Sequence, residues 1–274
     1  MEQKKNMFFP TVIEAAHTVI LYLFIEAVID LPLAIWDLQY GTNFLSNPAK
    51  RNIVNPAITV FILWLGYRKA QVPILELFPF RRFNPLFIMA LLLIMPPLQL
   101  VIDDVNILIN NILPVPYWFM EMFSRVFENS FGISGVILKV VIIAPITEEL
   151  LFRGIIMHGF MRNYSGVQAV LVSALFFALF HLNPWQFPAT FTLGLLLGWL
   201  MLQTRNILLC IVGHALNNGL ALLLMEFQQP LMQSAFFRLP HPVRLLICTG
   251  LLMFGFGILI FRTQSLKNIR LTNK

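Results

Sequence analysis

Residues 243–262, VRLLICTGLLMFGFGILIFR, form an apolar run with a charged residue only near each end. About twenty apolar residues in an α-helix are long enough to cross the hydrocarbon core of a bilayer. The apolar residues follow one another without interruption, whereas a membrane β-strand alternates apolar and polar residues. The run therefore predicts a transmembrane α-helix.

Seven further apolar runs occur upstream, near residues 8–36, 53–67, 84–102, 133–162, 167–182, 187–203 and 206–225. Of the 274 residues, 58% are hydrophobic and 12% are charged, whereas a soluble domain has about 25% charged residues. The bilayer is therefore the solvent for most of the chain. The sequence predicts an all-α, polytopic transmembrane bundle of about eight spans, forming one domain over residues 1–274.

The formal charge of +6 does not indicate nucleic-acid binding, because the basic residues lie between apolar runs and do not cluster with stacking aromatics. Eight spans with a cytoplasmic N-terminus would gather most of them on the cytoplasmic side, as the positive-inside rule requires. These are Lys4, Lys5, Arg68, Lys69, Arg81, Arg82, Arg162, Arg205, Arg262, Lys267, Arg270 and Lys274. Lys50 and Arg51 contradict this arrangement. We expect both termini in the cytoplasm and a bacterial plasma membrane as the location.

Three local features refine this prediction. The segment 103–132 is expected to be the longest connection, with its acidic residues outside the cell and Trp118 as an interfacial anchor. Pro145 is expected to kink the long fourth span. Gly194 and Gly198, four residues apart, are expected to let two helices pack closely.

Ionisable residues inside a bilayer are costly and usually face a cavity or a partner. The strongest cluster is Glu148-Glu149-Leu-Leu-Phe-Arg153 in the fourth span. Glu149 and Arg153 are four residues apart and share a helix face, so we expect them to form a supporting ion pair. Glu148 is rotated by about 100° from Glu149, which leaves its carboxylate free.

Two histidines lie in later spans. His181 ends the sequence Phe177-Ala-Leu-Phe-His181, and His214 begins His214-Ala-Leu-Asn-Asn218, which puts Asn218 one turn beyond His214. Counted from the cytoplasmic ends of the spans, Glu148 and His181 lie on the order of 20 Å deep. His214 and Asn218 lie at roughly 12 and 18 Å. One intramembrane cavity could therefore hold all four residues.

A carboxylate in such a cavity can act as a general base towards water. One histidine would assist Glu148, while the other histidine and the Asn218 amide would donate hydrogen bonds to an oxyanion. Two histidines and a glutamate are also the ligand set of a catalytic zinc site. The His-Glu-x-x-His motif is absent, so the spacing does not demand zinc, and zinc at Glu148, His181 and His214 remains the alternative.

At these residues the sequence resembles the CAAX-protease and bacteriocin-processing family of intramembrane glutamic endopeptidases. Its three motifs are a double glutamate followed by arginine, a phenylalanine four residues before a histidine, and a histidine four residues before an asparagine. They occur here in order within residues 148–218, and the resemblance covers a catalytic core of roughly 134–225. It implies a helical bundle that hydrolyses peptides without a cofactor or metal. It also implies that Glu148 activates water and that His181, His214 and Asn218 stabilise the transition state.

The expected substrate is a membrane-associated or lipidated peptide or protein, since the predicted site lies within the bilayer. The sequence does not define the cleavage site, the need for a prenyl group or the oligomeric state. Two other functions remain open: an ion- or proton-coupled transporter, because membrane Glu and His residues also form proton relays, and a non-catalytic scaffold or immunity protein. The absence of paired repeats argues against a transporter.

Overall fold

In the computed structural model, residues 7–42, 44, 54–124 and 132–272 are described. No strand occurs within these ranges, and 84% of the described residues are helical. The predicted all-α fold is therefore confirmed, and the apolar helices described next make it a membrane bundle.

Fourteen α-helices occur in the described ranges. They are α1 (Val12–Tyr40), α2 (Asn55–Ala70), α3 (Ile74–Leu77), α4 (Leu86–Ile112), α5 (Tyr117–Ser124), α6 (Gly132–Val136), α7 (Ala144–Glu149), α8 (Met157–Asn163), α9 (Gly166–Phe180), α10 (Phe187–Thr204), α11 (Ile207–Glu226), α12 (Gln228–Met232), α13 (Ala235–Arg238) and α14 (His241–Thr272). Two π-helical segments, π1 (Ile137–Ile143) and π2 (Leu150–Ile156), connect α6 to α7 and α7 to α8.

Each of the eight predicted spans coincides with helical structure. Among the described residues, five helices are long and apolar enough to cross a membrane, namely α1, α4, α10, α11 and the part of α14 up to Ser265. At 15 residues, α9 is about 22 Å long, which is shorter than the hydrocarbon core. The span count of eight therefore stays a prediction.

The predicted connection at 103–132 is wrong in its first part, because α4 continues to Ile112 and includes Asp103 and Asp104. Helix α4 ends where the chain reaches Pro114. Proline disfavours a helical conformation in the residue before it, and Leu113 has left the helical region with φ −128° and ψ 83°. Trp118 lies in the short helix α5 and is exposed.

The segment 132–163 carries the double glutamate and changes helix type along its length. At the end of π1, the Ala144 N–H donates to the Lys139 carbonyl five residues back. Pro145 follows directly and has no N–H of its own. The helix thus changes from π-helix to α-helix at Pro145, and α7 then presents Glu148 and Glu149. The predicted kink at Pro145 stays a prediction.

Helices α9 and α10 pack closely where Gly194 faces Ala174. A Cβ atom on Gly194 would lie 3.0 Å from both the Cα and the Cβ of Ala174, and one on Gly198 would lie 3.3 Å from a Val170 methyl group. The small residues therefore permit the close approach that the sequence predicted.

Basic side chains gather at one end of the bundle. Arg162 at the end of α8 lies 3.4 Å from Glu76 in α3, and its guanidinium covers the Phe8 ring near the N-terminus. Lys69 covers the ring of Phe9. Asn206 holds the backbone of Arg81 through two hydrogen bonds.

This clustering agrees with the positive-inside pattern, although it does not identify the cytoplasmic side. Five of the residues used for the topology lie outside the described ranges, namely Lys4, Lys5, Lys50, Arg51 and Lys274. The cytoplasmic location of both termini stays a prediction.

Candidate active site

The centre of the site is the carboxylate of Glu148 between two imidazoles. Glu148 Oε2 lies 3.8 Å from His181 Nε2 and 3.9 Å from His214 Nε2. Helix α7 supplies the glutamate, α11 supplies His214, and His181 caps the C-terminus of α9. Glu148 Oε2 is buried and has no hydrogen-bond partner in the described part of the chain.

The hydrogen-bond acceptor of each Nδ1 atom fixes the tautomer of His181 and of His214. His181 Nδ1 lies 2.8 Å from the carbonyl oxygen of Phe177, which can only accept, so this nitrogen carries a proton. His214 Nδ1 lies 2.9 Å from Glu149 Oε1 and donates to that carboxylate. A neutral histidine has one N–H, so both neutral rings present Nε2 lone pairs towards Glu148. Two histidine acceptor atoms thus lie within 4 Å of Glu148 Oε2.

A buried ion pair supports this arrangement. Glu149 Oε2 lies 3.1 Å from Arg153 Nε, and both side chains are fully buried. Arg153 also donates through Nη2 to the Gly194 carbonyl at 3.3 Å. The structure therefore contains the Glu149–Arg153 contact expected from the spacing. The spacing did not reveal that Glu149 also holds His214, because that contact joins two distant spans.

Phe177 packs against the polar groups of the site. Its buried ring stands edge-on to His181 and His214, at centroid distances of 5.0 and 5.6 Å. The guanidinium of Arg153 lies over the same ring, 4.6 Å from its centroid. One aromatic ring therefore limits the positions of three polar side chains, and it gives the charged arginine a favourable apolar contact.

Asn218 lies one turn beyond His214, as predicted, and makes a contact that the sequence did not reveal. Its Nδ2 donates to the backbone carbonyl of Val140 in π1 at 2.9 Å. Its Oδ1 accepts a hydrogen bond from Asn217 at 3.2 Å. The amide thus connects α11 to the segment that carries Glu148.

A cavity of about 150 Å³ lies beside Glu148, with Tyr22, Glu26 and Thr59 in its wall. The Tyr22 hydroxyl lies 2.9 Å from Thr59 Oγ1. Sequence reasoning left Glu26 outside the site and did not consider Tyr22. The four-residue spacing of Tyr22 and Glu26, which puts both on one face of α1, was the available signal.

Glu148, His181 and His214 are the residues that the zinc alternative names as metal ligands. Ligand atoms about 2.1 Å from a tetrahedral zinc lie roughly 3.4 Å apart, whereas Glu148 Oε2 is 3.8 and 3.9 Å from the two nitrogens. No group of three His, Cys, Asp or Glu side chains in the described ranges has the arrangement of a metal site. A carboxylate oxygen and two imidazole nitrogens are nevertheless chemically suitable zinc ligands. The zinc alternative is therefore tested by experiment.

Comparison with known proteins bears on the segment that contains these residues. Residues 130–220 match the family described as type II CAAX prenyl endopeptidase, Rce1-like. The family resemblance is confirmed. The matched segment includes all six site residues predicted from the motifs, and the match supports a protease function in general. No curated protein and no solved structure matches the chain. Helices α1, α2 and α14 lie outside the matched segment.

Proposed function

We propose that this protein is an intramembrane endopeptidase in which Glu148 activates water for attack on a peptide bond. The observation that supports this most strongly is the convergence of Glu148 Oε2 with the two histidine Nε2 atoms. A water molecule between Glu148 Oε2 and His181 Nε2, which lie 3.8 Å apart, could donate one proton to each atom. Its lone pairs would then be free for attack.

In the proposed reaction, the water oxygen bonds to the substrate carbonyl carbon while its proton moves to Glu148. The carbonyl π electrons move onto oxygen and form a tetrahedral oxyanion. The oxyanion then collapses, the C–N bond breaks, and Glu148 returns the proton to the leaving nitrogen. The products are a carboxylic acid and an amine, so one water molecule is consumed and the enzyme is regenerated.

The oxyanion requires hydrogen-bond donors. We assign this role to Asn218 and to His214, whose Nε2 donates when it carries a proton. Asn218 Nδ2 carries two hydrogens, and only one donates to Val140. His181 would then orient the attacking water.

The proposed substrate is a membrane-associated or lipidated peptide, in keeping with the prenyl endopeptidase family that the segment matches. The cavity beside Glu148 has room for about one side chain, since an apolar cavity of similar volume accommodates a benzene ring. We further propose that both termini face the cytoplasm, supported by the basic residues at one end of the bundle.

The test is cleavage of a library of membrane-anchored peptides, with and without a prenyl group, by purified protein in liposomes. Wild type would be compared with Glu148→Gln and with Glu226→Gln, a matched control at the exposed end of α11. We expect Glu148→Gln to lower kcat on the order of 10³-fold and the control to retain activity. The wild-type rate should be the same with a chelator.

Three results would contradict the proposal. Full activity in Glu148→Gln would exclude this carboxylate as the base. Activity lost to a chelator and restored by zinc would establish a metal-dependent reaction at the same three residues. Proton-coupled uptake into the liposomes that requires Glu148, without any cleavage, would favour the transporter.

A further inference from the structure

Three side-chain amides form a continuous chain that ends at the segment carrying Glu148. Gln99 in α4 donates through Nε2 to Asn217 Oδ1 at 2.8 Å. Asn217 Nδ2 donates to Asn218 Oδ1 at 3.2 Å, and Asn218 Nδ2 donates to the Val140 carbonyl at 2.9 Å. Each amide donates to the next oxygen in one direction, an arrangement in which neighbouring hydrogen bonds polarise one another.

The last acceptor in this chain lacks the partners that a helix normally provides. In an α-helix the Val140 carbonyl would accept from the N–H of residue 144, but Ala144 donates to Lys139 instead. In a π-helix it would accept from residue 145, which is a proline and has no N–H. A carbonyl without a partner in a bilayer is costly, and the Asn218 amide supplies the missing donor.

The helix type of π1 determines whether Glu148 faces the histidines. A π-helical segment has the effect of one extra residue in an α-helix, and each residue of an α-helix turns the chain by about 100°. Conversion of π1 to α-helix would therefore rotate α7 by about the angle that separates Glu148 from Glu149. Glu148 would then turn to the direction that Glu149 now has, and Thr147 would face His181 in its place.

We propose that Gln99 and Asn217 are positioning residues, which act through Asn218 on the Val140 carbonyl and thereby keep π1 in the register that presents Glu148 to the two histidines. Neither residue contacts the reacting groups, and Gln99 lies outside the matched segment. The expected loss of catalysis rests on the proposed function of Glu148. The expected change in the geometry of π1 does not depend on that function.

The experiment uses two nearly isosteric variants that remove an amide, Gln99→Met and Asn217→Leu, together with their double variant. Gln203→Met in α10 is the matched control, because Gln203 is outside the chain of amides. Hydrogen–deuterium exchange of peptides that cover residues 137–149 would be measured in detergent, and kcat and KM would be measured in liposomes. Gln99→Asn, one methylene shorter, serves as a second variant if Gln99→Met does not fold.

We expect faster exchange within residues 137–149 in both single variants and not in the control. We also expect kcat to fall about tenfold or more with KM unchanged, since the base is displaced and the binding cavity is not. The double variant should resemble Asn217→Leu alone, because the two amides act through one path.

Unchanged exchange in both variants would overturn the proposal, as would losses that add in the double variant. If Glu148→Gln proved fully active, the proposed function would fail while the exchange measurement still decided the role of the amides.

Discussion

His214 Nδ1 lies 2.9 Å from Glu149 Oε1, so the second glutamate of the pair holds one of the histidines that face the first glutamate. Glu149 simultaneously contacts Arg153 through its other oxygen. The two adjacent glutamates therefore have different tasks. Glu148 faces the two Nε2 atoms, and Glu149 fixes the tautomer and orientation of His214, as carboxylates do for histidines in many sites.

Glu149→Gln is expected to destabilise the protein by about 3–5 kcal/mol, because it leaves the buried Arg153 without its counter-charge. The loss would be measured by thermal unfolding in detergent. The double variant Glu149→Gln/Arg153→Met should recover most of this stability, since it removes the buried charge that the single variant leaves uncompensated. It should remain poorly active, because His214 lacks its carboxylate. Equal stability of the single variant and wild type would show that the ion pair is not structural.

His181→Gln and His214→Gln are expected to separate activity from stability. Both should lower kcat on the order of 10²–10³-fold. His214 is buried and its loss deprives Glu149 of a donor, so the free energy of unfolding should fall by about 1–3 kcal/mol. His181 is one-fifth exposed, and its replacement should change stability by less than about 1 kcal/mol. Activity and the free energy of unfolding would be measured for both variants. Equal stability losses would contradict the prediction that the more buried histidine contributes more to stability.

Phe177→Ala is expected to destabilise the fold by about 3–5 kcal/mol, because it removes a fully buried ring that contacts both histidines and Arg153. Phe177→Leu should lose less stability but should still lower kcat, since the imidazoles are no longer confined. Phe254→Leu, at a ring exposed on α14, is the control and should change stability by about 0.5 kcal/mol at most. Wild-type kcat in Phe177→Leu would exclude a positioning role for the ring.

Gly194→Ala is expected to destabilise the contact between α9 and α10 by about 1–3 kcal/mol, because the added Cβ would press on the Ala174 backbone. The Gly194 carbonyl also accepts from Arg153, so activity should fall as well. Gly250→Ala in α14 is the matched control, because its Cβ would meet nothing within 4 Å. Gly250→Ala should leave the stability of the protein unchanged or raise it, because alanine has a higher helix propensity than glycine. Chemical denaturation of both variants measures the difference, and similar behaviour would contradict close packing at Gly194.

Hydropathy and spacing were sufficient to predict the helical class, the eight helical regions and the contact between Glu149 and Arg153. These features are local: an apolar run of sufficient length forms a helix in lipid, and residues four apart share one face. The end of α4 was misplaced by ten residues, because Asp103 and Asp104 were taken as a loop signal while the actual stop is Pro114. Acidic residues such as Asp103 and Asp104 do not stop a helix, whereas a proline disfavours helical geometry in the residue before it.

Contacts between distant spans could not be derived in the same way. Tyr22 in the cavity wall, Glu149 on His214 and Gln99 on Asn217 each join helices far apart in the chain. The π-helical turn before Pro145 was likewise not visible in the hydropathy pattern. Within it, the Val140 carbonyl accepts from Asn218 in α11, a donor that only the packed bundle brings there.

By itself, the sequence determined that the chain forms membrane helices and which ionisable residues lie within them, because burial of apolar length and the cost of intramembrane charge act along each helix separately. Only the tertiary structure decided how those residues are oriented. The tautomers of His181 and His214, the partner of Asn218 and the direction of Glu148 depend on hydrogen bonds between helices, and the rotation and depth of each helix are set by its packing against the others.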